Sequence, residues 1–128
     1  ISGGNAHTLD TNAIIYFLHK DPSSTSVINR VLVVHGPVYV SAVTELELFS
    51  FSAMTFQEEE QIERILNAVV IIPLESRIAR IAGFIRRNYG LKTADSAIAA
   101  TALITGSTLI TRNIRDFRSV TDLVLQVV

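Results

Sequence analysis

The sequence has no cysteine, which excludes a disulfide framework and any thiolate metal site. Its three histidines, His7, His19 and His35, stand apart on or beside expected loops, so they offer no clustered imidazole site and are read as structural. No apolar run reaches the ~20 residues that a membrane-spanning helix requires, and no basic-then-apolar export signal opens the chain. These absences predict a protein with no membrane partner that works in a reducing cytoplasm. Disorder is excluded too, because 48% of the 128 residues are hydrophobic and only 18% are charged. Repeats, low-complexity segments and an inter-domain linker are all absent, and the length suits one domain able to bury roughly two-thirds of its unfolded surface. The chain opens on Ile1 rather than Met, and Ser2-Gly3-Gly4 reads as flexible filler. Residues 1–5 are therefore read as an appended remnant, with the domain expected over residues 6–128.

What is present is unevenly spread. Residues 1–76 hold three bases and nine acids, a net of −6, whereas residues 77–118 hold eight bases and two acids, a net of +6. Those two acids are Asp95 and Asp116. An acidic centre with a basic rim suits a phosphodiester substrate, since cations can hold the backbone while carboxylates and a metal address one phosphate. The plainer reading of each arginine is an ordinary solvated helix face.

The pattern alternates strand and helix, predicting an α/β fold with a central parallel sheet of four to five strands and helices on both faces. A first strand leads through Thr8 and Leu9 to Asp10 and is followed by a short apolar helix over 13–18, a second helix over 23–33, and a strand over 37–41. A helix over 43–51 comes next, then one opened by the capping box Thr55-Phe56-Gln57-Glu58. The apolar run 69–73 is expected to be a strand buried on both faces. Ser76 is expected to cap a helix with Ile78, Ile81, Ala82, Ile85 and Tyr89 inward, ended by Gly90. Thr93 is expected to cap a small-residue helix over 94–104 that ends at Gly106; strands over 108–111 and 124–128 close the chain.

Asp10 falls where an open α/β sheet carries function, outside the carboxyl end of a strand. Acids recur in similar places: Glu45 or Glu47 after the second strand, Asp95 at a helix start, and Asp116 after the fourth strand. Glu45 and Glu47 are two residues apart on a helix, so only one can face the crevice, and spacing does not choose between them. Four carboxylates converging on one crevice resist ionising unless a cation neutralises them. Oxygen-only donors without Cys or clustered His select Mg²⁺ or Mn²⁺ over Zn²⁺. For Asp95 the modest alternative is a helix-dipole partner, worth ~0.3–1 kcal/mol.

Four segments together resemble the PIN-domain ribonucleases, and among them the VapC-type toxins of type II toxin–antitoxin systems. These are Leu9-Asp10-Thr11-Asn12, Ser41-Ala42-Val43-Thr44-Glu45-Leu46-Glu47-Leu48, Thr93-Ala94-Asp95-Ser96-Ala97-Ile98-Ala99-Ala100, and Thr111-Arg112-Asn113-Ile114-Arg115-Asp116-Phe117. Each is weak alone; all four in order are specific, and the likeness covers almost everything after residue 6. The family pattern selects Glu47 over Glu45. Some relatives carry Asp where this chain has Asn113, which passes the fourth acidic role to Asp116. The resemblance implies a metal-dependent endoribonuclease, Mg²⁺ or Mn²⁺ bound by Asp10, Glu47, Asp95 and Asp116, a homodimer, and inhibition by a cognate antitoxin. Thr11, Asn12, Thr111 and Asn113 would orient carboxylates or phosphate, and Arg87, Lys92, Arg112 and Arg115 would contact RNA. The apolar stretch from Phe49 to Phe56 is the expected surface for the dimer and for the antitoxin.

Two rivals come from other classes. A phosphatase with nucleophilic Asp10 would want a second Asp two residues on and a positioned Lys, but position 12 is Asn and Lys20 and Lys92 are the only lysines. A catalytically inactive RNA-binding or interaction module of the same fold would have no reason to keep four acids together.

Overall fold

The computed structural model describes residues 5–34 and 36–128. His35 and residues 1–4 of the expected appended segment therefore lie outside the described residues. The chain runs β1 (His7–Leu9), α1 (Thr11–Leu18), α2 (Pro22–Val33), β2 (Val38–Ser41), α3 (Ala42–Leu48), α4 (Phe56–Asn67), β3 (Val70–Ile72), α5 (Ser76–Tyr89), α6 (Thr93–Thr105), β4 (Thr108–Thr111), α7 (Ile114–Phe117) and β5 (Leu125–Val127). All five strands pair in parallel, in the order β3-β2-β1-β4-β5. The chain moves outward from β1 in one direction to β2 and β3, then crosses to lay β4 and β5 on the other side. The switch point therefore falls between β1 and β4, where Leu9 lies opposite Ile110, and a crevice opens beyond their carboxyl ends.

Alternation along the strands feeds two cores. Leu9, Val40 and Ile110 join Ile14, Ile28, Leu48 and Ile62 on one face. Leu109 joins Ile85, Ile98 and Phe117 on the other. Helix α6 packs closely because it is built from Ala97, Ala99, Ala100 and Ala102, all within 3% of full burial. The buried hydroxyl of Thr8 on β1 is satisfied by Ser107 at 2.6 Å.

Several expectations need correcting. β3 is an edge strand and only half-buried, not a strand covered on both faces. Two caps shift by one residue: Glu75, not Ser76, caps α5 by accepting from the Ile78 N–H at 2.8 Å, and Thr93 is already the first helical residue of α6. Helix α1 begins at Thr11, earlier than expected, because Asp10 takes the extended N-cap conformation. α3 stops at Leu48 rather than 51. Pro22 sits at the first position of α2, where its missing N–H costs nothing, behind the Asp21 cap. His7 is buried within β1 rather than placed on a loop, while His19 is exposed at the end of α1. Tyr89 points out of the core.

Candidate active site

Asp10 directly follows β1 at the switch point and is 2% exposed. It occupies the N-cap position of α1, yet its side chain makes no capping bond. The carboxylate instead accepts a hydrogen bond from the Thr111 hydroxyl, 2.7 Å from Oδ2, at the end of the neighbouring strand β4. Thr111 is itself fixed, since its oxygen accepts the Asn113 backbone N–H at 2.9 Å. Burial pushes the Asp10 carboxyl up to about 6; Thr111 opposes that, and the charges of Asp95 and Glu47 add to it.

Glu47 arrives from α3, one element after β2. The Thr11 hydroxyl lies 2.6 Å from Glu47 Oε1 and 2.9 Å from the Thr44 hydroxyl oxygen. This contact separates the two candidate glutamates: Glu47 is held against the first turn of α1, whereas among the described residues the Glu45 side chain makes no comparable hydrogen bond. Thr44, buried completely, is a supporting residue that sequence reading passed over. Its spacing of three from Glu47 on one helix face was the available signal.

Asp95 lies in the first turn of α6. Burial raises its carboxyl above the ordinary range, followed by the charges of Asp116 and Glu47, with Lys92 pulling the other way. A residue serving only the helix dipole would be shifted down, so desolvation and like charge outweigh the dipole here. Asp116 on α7 is exposed, and Asn113 Nδ2 donates to its Oδ2 at 2.7 Å. Asn113 and Asp116 thus act as a unit. Asn12 is exposed on the first turn of α1.

The charges of Asp95 and Glu47 thus bear on Asp10, and those of Asp116 and Glu47 on Asp95. Among the described residues no group of three or more carboxylate or imidazole side chains is arranged to hold a metal ion by itself. Mg²⁺ keeps several of its waters and binds through one or two carboxylates. The donor set fits such a hydrated hard cation. Its atoms are all oxygen, and Asp10 is a buried carboxylate with a single side-chain donor and two like charges nearby.

The basic rim is only partly as expected. Lys92 and Arg115 line a cleft of about 270 Å³ with Asp95 and Asp116. Arg87 is exposed on α5, with its guanidinium 5.8 Å from the centre of the Phe84 ring. Arg112, expected at the substrate, is engaged elsewhere. It donates to the Val128 carbonyl at 2.8 Å, pairs with Asp21 at 2.6 Å, and lies 4.0 Å over the Tyr16 ring. The reason is geometric, since successive side chains at a strand end point to opposite sides and Thr111 already faces the crevice.

The PIN domain family profile matches residues 8–123. Ribonuclease VapC2 of Rickettsia felis is 26% identical over 128 residues, covering 94% of this chain and 96% of that protein. A solved structure of VapBC2 from Rickettsia felis, bound to a DNA fragment from its promoter, contains a chain that superposes with a TM-score of 0.83 at 23% identity, covering 96% of this chain and 98% of that one. A toxin–antitoxin complex from Klebsiella pneumoniae gives 0.79 at 26% identity, covering 92% of this chain and 95% of its counterpart. With the profile spanning nearly the whole domain, this chain belongs to the PIN domain family.

Proposed function

We infer that this chain is an endoribonuclease toxin that hydrolyses RNA with the help of Mg²⁺ or Mn²⁺ and is restrained by a cognate antitoxin. The observation that carries the reading is Asp10, a carboxylate buried at the switch point whose ionised form is only partly compensated by the Thr111 hydroxyl and the Thr11 backbone. The similarity to a ribonuclease of VapC type over almost the full length supports the substrate class. When bound, such an ion supplies an acidified water and positive charge beside the phosphate. Asp10, Glu47 and Asp95 would hold it directly or through water, and Asp116 would stand as an outer ligand.

The chain's own groups prepare the crevice. Thr111 keeps one Asp10 oxygen aligned, Thr11 does the same for Glu47, and Asn113 fixes Asp116. Lys92 and Arg115 would offset the acids toward an approaching phosphate. The similarity to a chain of a toxin–antitoxin complex supports the antitoxin. An apolar groove of about 590 Å³, lined by Ile15, Leu18, Phe51, Met54 and Ile62, offers it a concave seat. A second apolar face, shallower at about 420 Å³, carries exposed Leu46 and Leu74 around the open Gly83 and suits a second copy. The dimer is thereby proposed away from Phe49–Phe56, leaving that surface for the antitoxin.

The purified protein is expected to cleave RNA in Mg²⁺ or Mn²⁺ and to be silent in EDTA. Full activity in EDTA, or none on any RNA with metal present, would sink the reading.

A further inference from the structure

Beside the acids lies a feature that carboxylate chemistry leaves unused. The cleft shared by Asp95 and Asp116 is walled by Tyr89, Gly90, Leu91, Lys92, Arg115 and Ser119. Helical periodicity places Tyr89 inward, four residues after the buried Ile85, yet it is 39% exposed. Tyr89 is the last residue of α5, and Gly90 ends the helix at φ 74, a conformation that other L-residues enter only at a cost. The turn is not loose. Arg86 Nη1 donates to the Leu91 carbonyl at 2.8 Å, the Gly90 N–H bonds the Arg86 carbonyl at 3.0 Å, and Leu91 is buried.

The turn supplies an aromatic ring and the Lys92 cation, and the facing α7 segment supplies Arg115 and Ser119, all lining one cleft with two of the proposed catalytic carboxylates. The opening, about 270 Å³, falls just under the roughly 300–1,000 Å³ of drug-sized ligand sites. It suits one nucleotide rather than a length of strand. Single-stranded RNA is held by this combination of groups: bases stack on an exposed ring, and lysine or arginine meets the adjoining phosphate.

Resting on the ribonuclease reading, we propose that this cleft is a subsite for the nucleotide next to the cut bond, with Tyr89 stacking on its base and Lys92 and Arg115 holding its phosphate. Stacking on a π-face tolerates every base, so Tyr89 contributes affinity and register at this position and little base discrimination. Because Asp95 and Asp116 would otherwise repel the chain, Lys92 and Arg115 also let the phosphate approach.

Steady-state cleavage of a short fluorescein-labelled oligoribonucleotide in Mn²⁺, together with anisotropy binding of the same oligonucleotide in EDTA, tests this. Tyr89→Ala should raise KM about tenfold with kcat within about twofold, and weaken binding in EDTA by a similar factor. Tyr89→Phe, which keeps the ring, should restore wild-type values. Lys92→Ala and Arg115→Ala should each weaken binding and flatten its salt dependence by roughly one charge. If wild type cleaves but Tyr89→Ala keeps wild-type KM and binding, or Tyr89→Phe behaves like Tyr89→Ala, the subsite is overturned and the nuclease stands. A wild-type protein that neither cleaves nor binds RNA overturns both.

Discussion

Asp95 separates two roles that look alike in a linear chain. In the structure its carboxyl is raised first by burial and then by Asp116 and Glu47, so the metal-free protein carries a cost for ionising it. Asp95→Asn should therefore melt higher than wild type in EDTA and gain less from added Mn²⁺, since stabilisation by a ligand follows its affinity. Activity should collapse in the same variant. Were Asp95 only a dipole partner, the variant would lose ~0.3–1 kcal/mol and respond to Mn²⁺ as wild type does. Four melting curves, two proteins with and without Mn²⁺, separate the outcomes.

Asp21 has the opposite sign. The Arg112 guanidinium, then the Ser24 N–H, hold its carboxyl down to about 2 from an ordinary 3.8. A carboxyl depressed by folding contributes stability that is complete above about pH 4 and lost as pH falls through 2. Asp21→Asn should consequently be less stable at pH 7 and show a flatter dependence between pH 4 and 2. Acid titration followed by circular dichroism would reveal it; parallel curves for the two proteins would remove Asp21 from the account.

At the scale of elements, the Asp21–Arg112 tie joins the turn between α1 and α2 to the end of β4, and the Val128 carbonyl adds the end of the chain. This pins both flanks of the switch point, with Thr111 holding Asp10 one residue from the tie. Arg112→Ala should lower the melting temperature and also reduce the Mn²⁺-induced shift, as the β4 end loosens. Arg112→Lys should recover little, because the guanidinium makes fork contacts and stacks on Tyr16, and an ammonium reproduces neither. A Mn²⁺ shift unchanged in Arg112→Ala would make the tie purely structural. Helix α6 shows the complementary case, where small side chains fix the distance at which Asp95 meets the crevice. Its amphipathicity was slight in sequence because nearly every face is buried.

At the scale of the molecule, the two apolar grooves, one lined by Phe51 and one by Leu46 and Leu74, are each offered a partner. The protein should be a dimer by multi-angle light scattering at micromolar concentration, and Leu46→Glu should shift it to monomer. Phe51→Glu, in the deeper groove, should leave the dimer intact. A monomer at every concentration would refute the dimer, and dissociation by Phe51→Glu instead would move the contact back to the Phe49–Phe56 surface.

The alternation of apolar segments was sufficient for an α/β parallel sheet, because the crossover helices force strands to be covered and their runs to be apolar. Asp10, Asp95 and the capping box at Thr55 were legible for the same local reason: each sits at an element boundary whose chemistry a few residues define. Contacts between distant segments were not. Thr11 against Glu47 spans 36 positions, and Thr111 against Asp10 spans 101. No periodicity records such pairs, so Glu47 could be chosen over Glu45 by resemblance but not by spacing. Arg112 and Tyr89 were misplaced for a related reason. Residue type and period indicate which groups are cationic or apolar, but whether a side chain ends in the crevice, the core or solvent depends on what the fold brings opposite it. For Arg112 that was Asp21 and the Val128 carbonyl; Tyr89, the last residue of α5, ends partly exposed at the cleft beside Asp95 and Asp116.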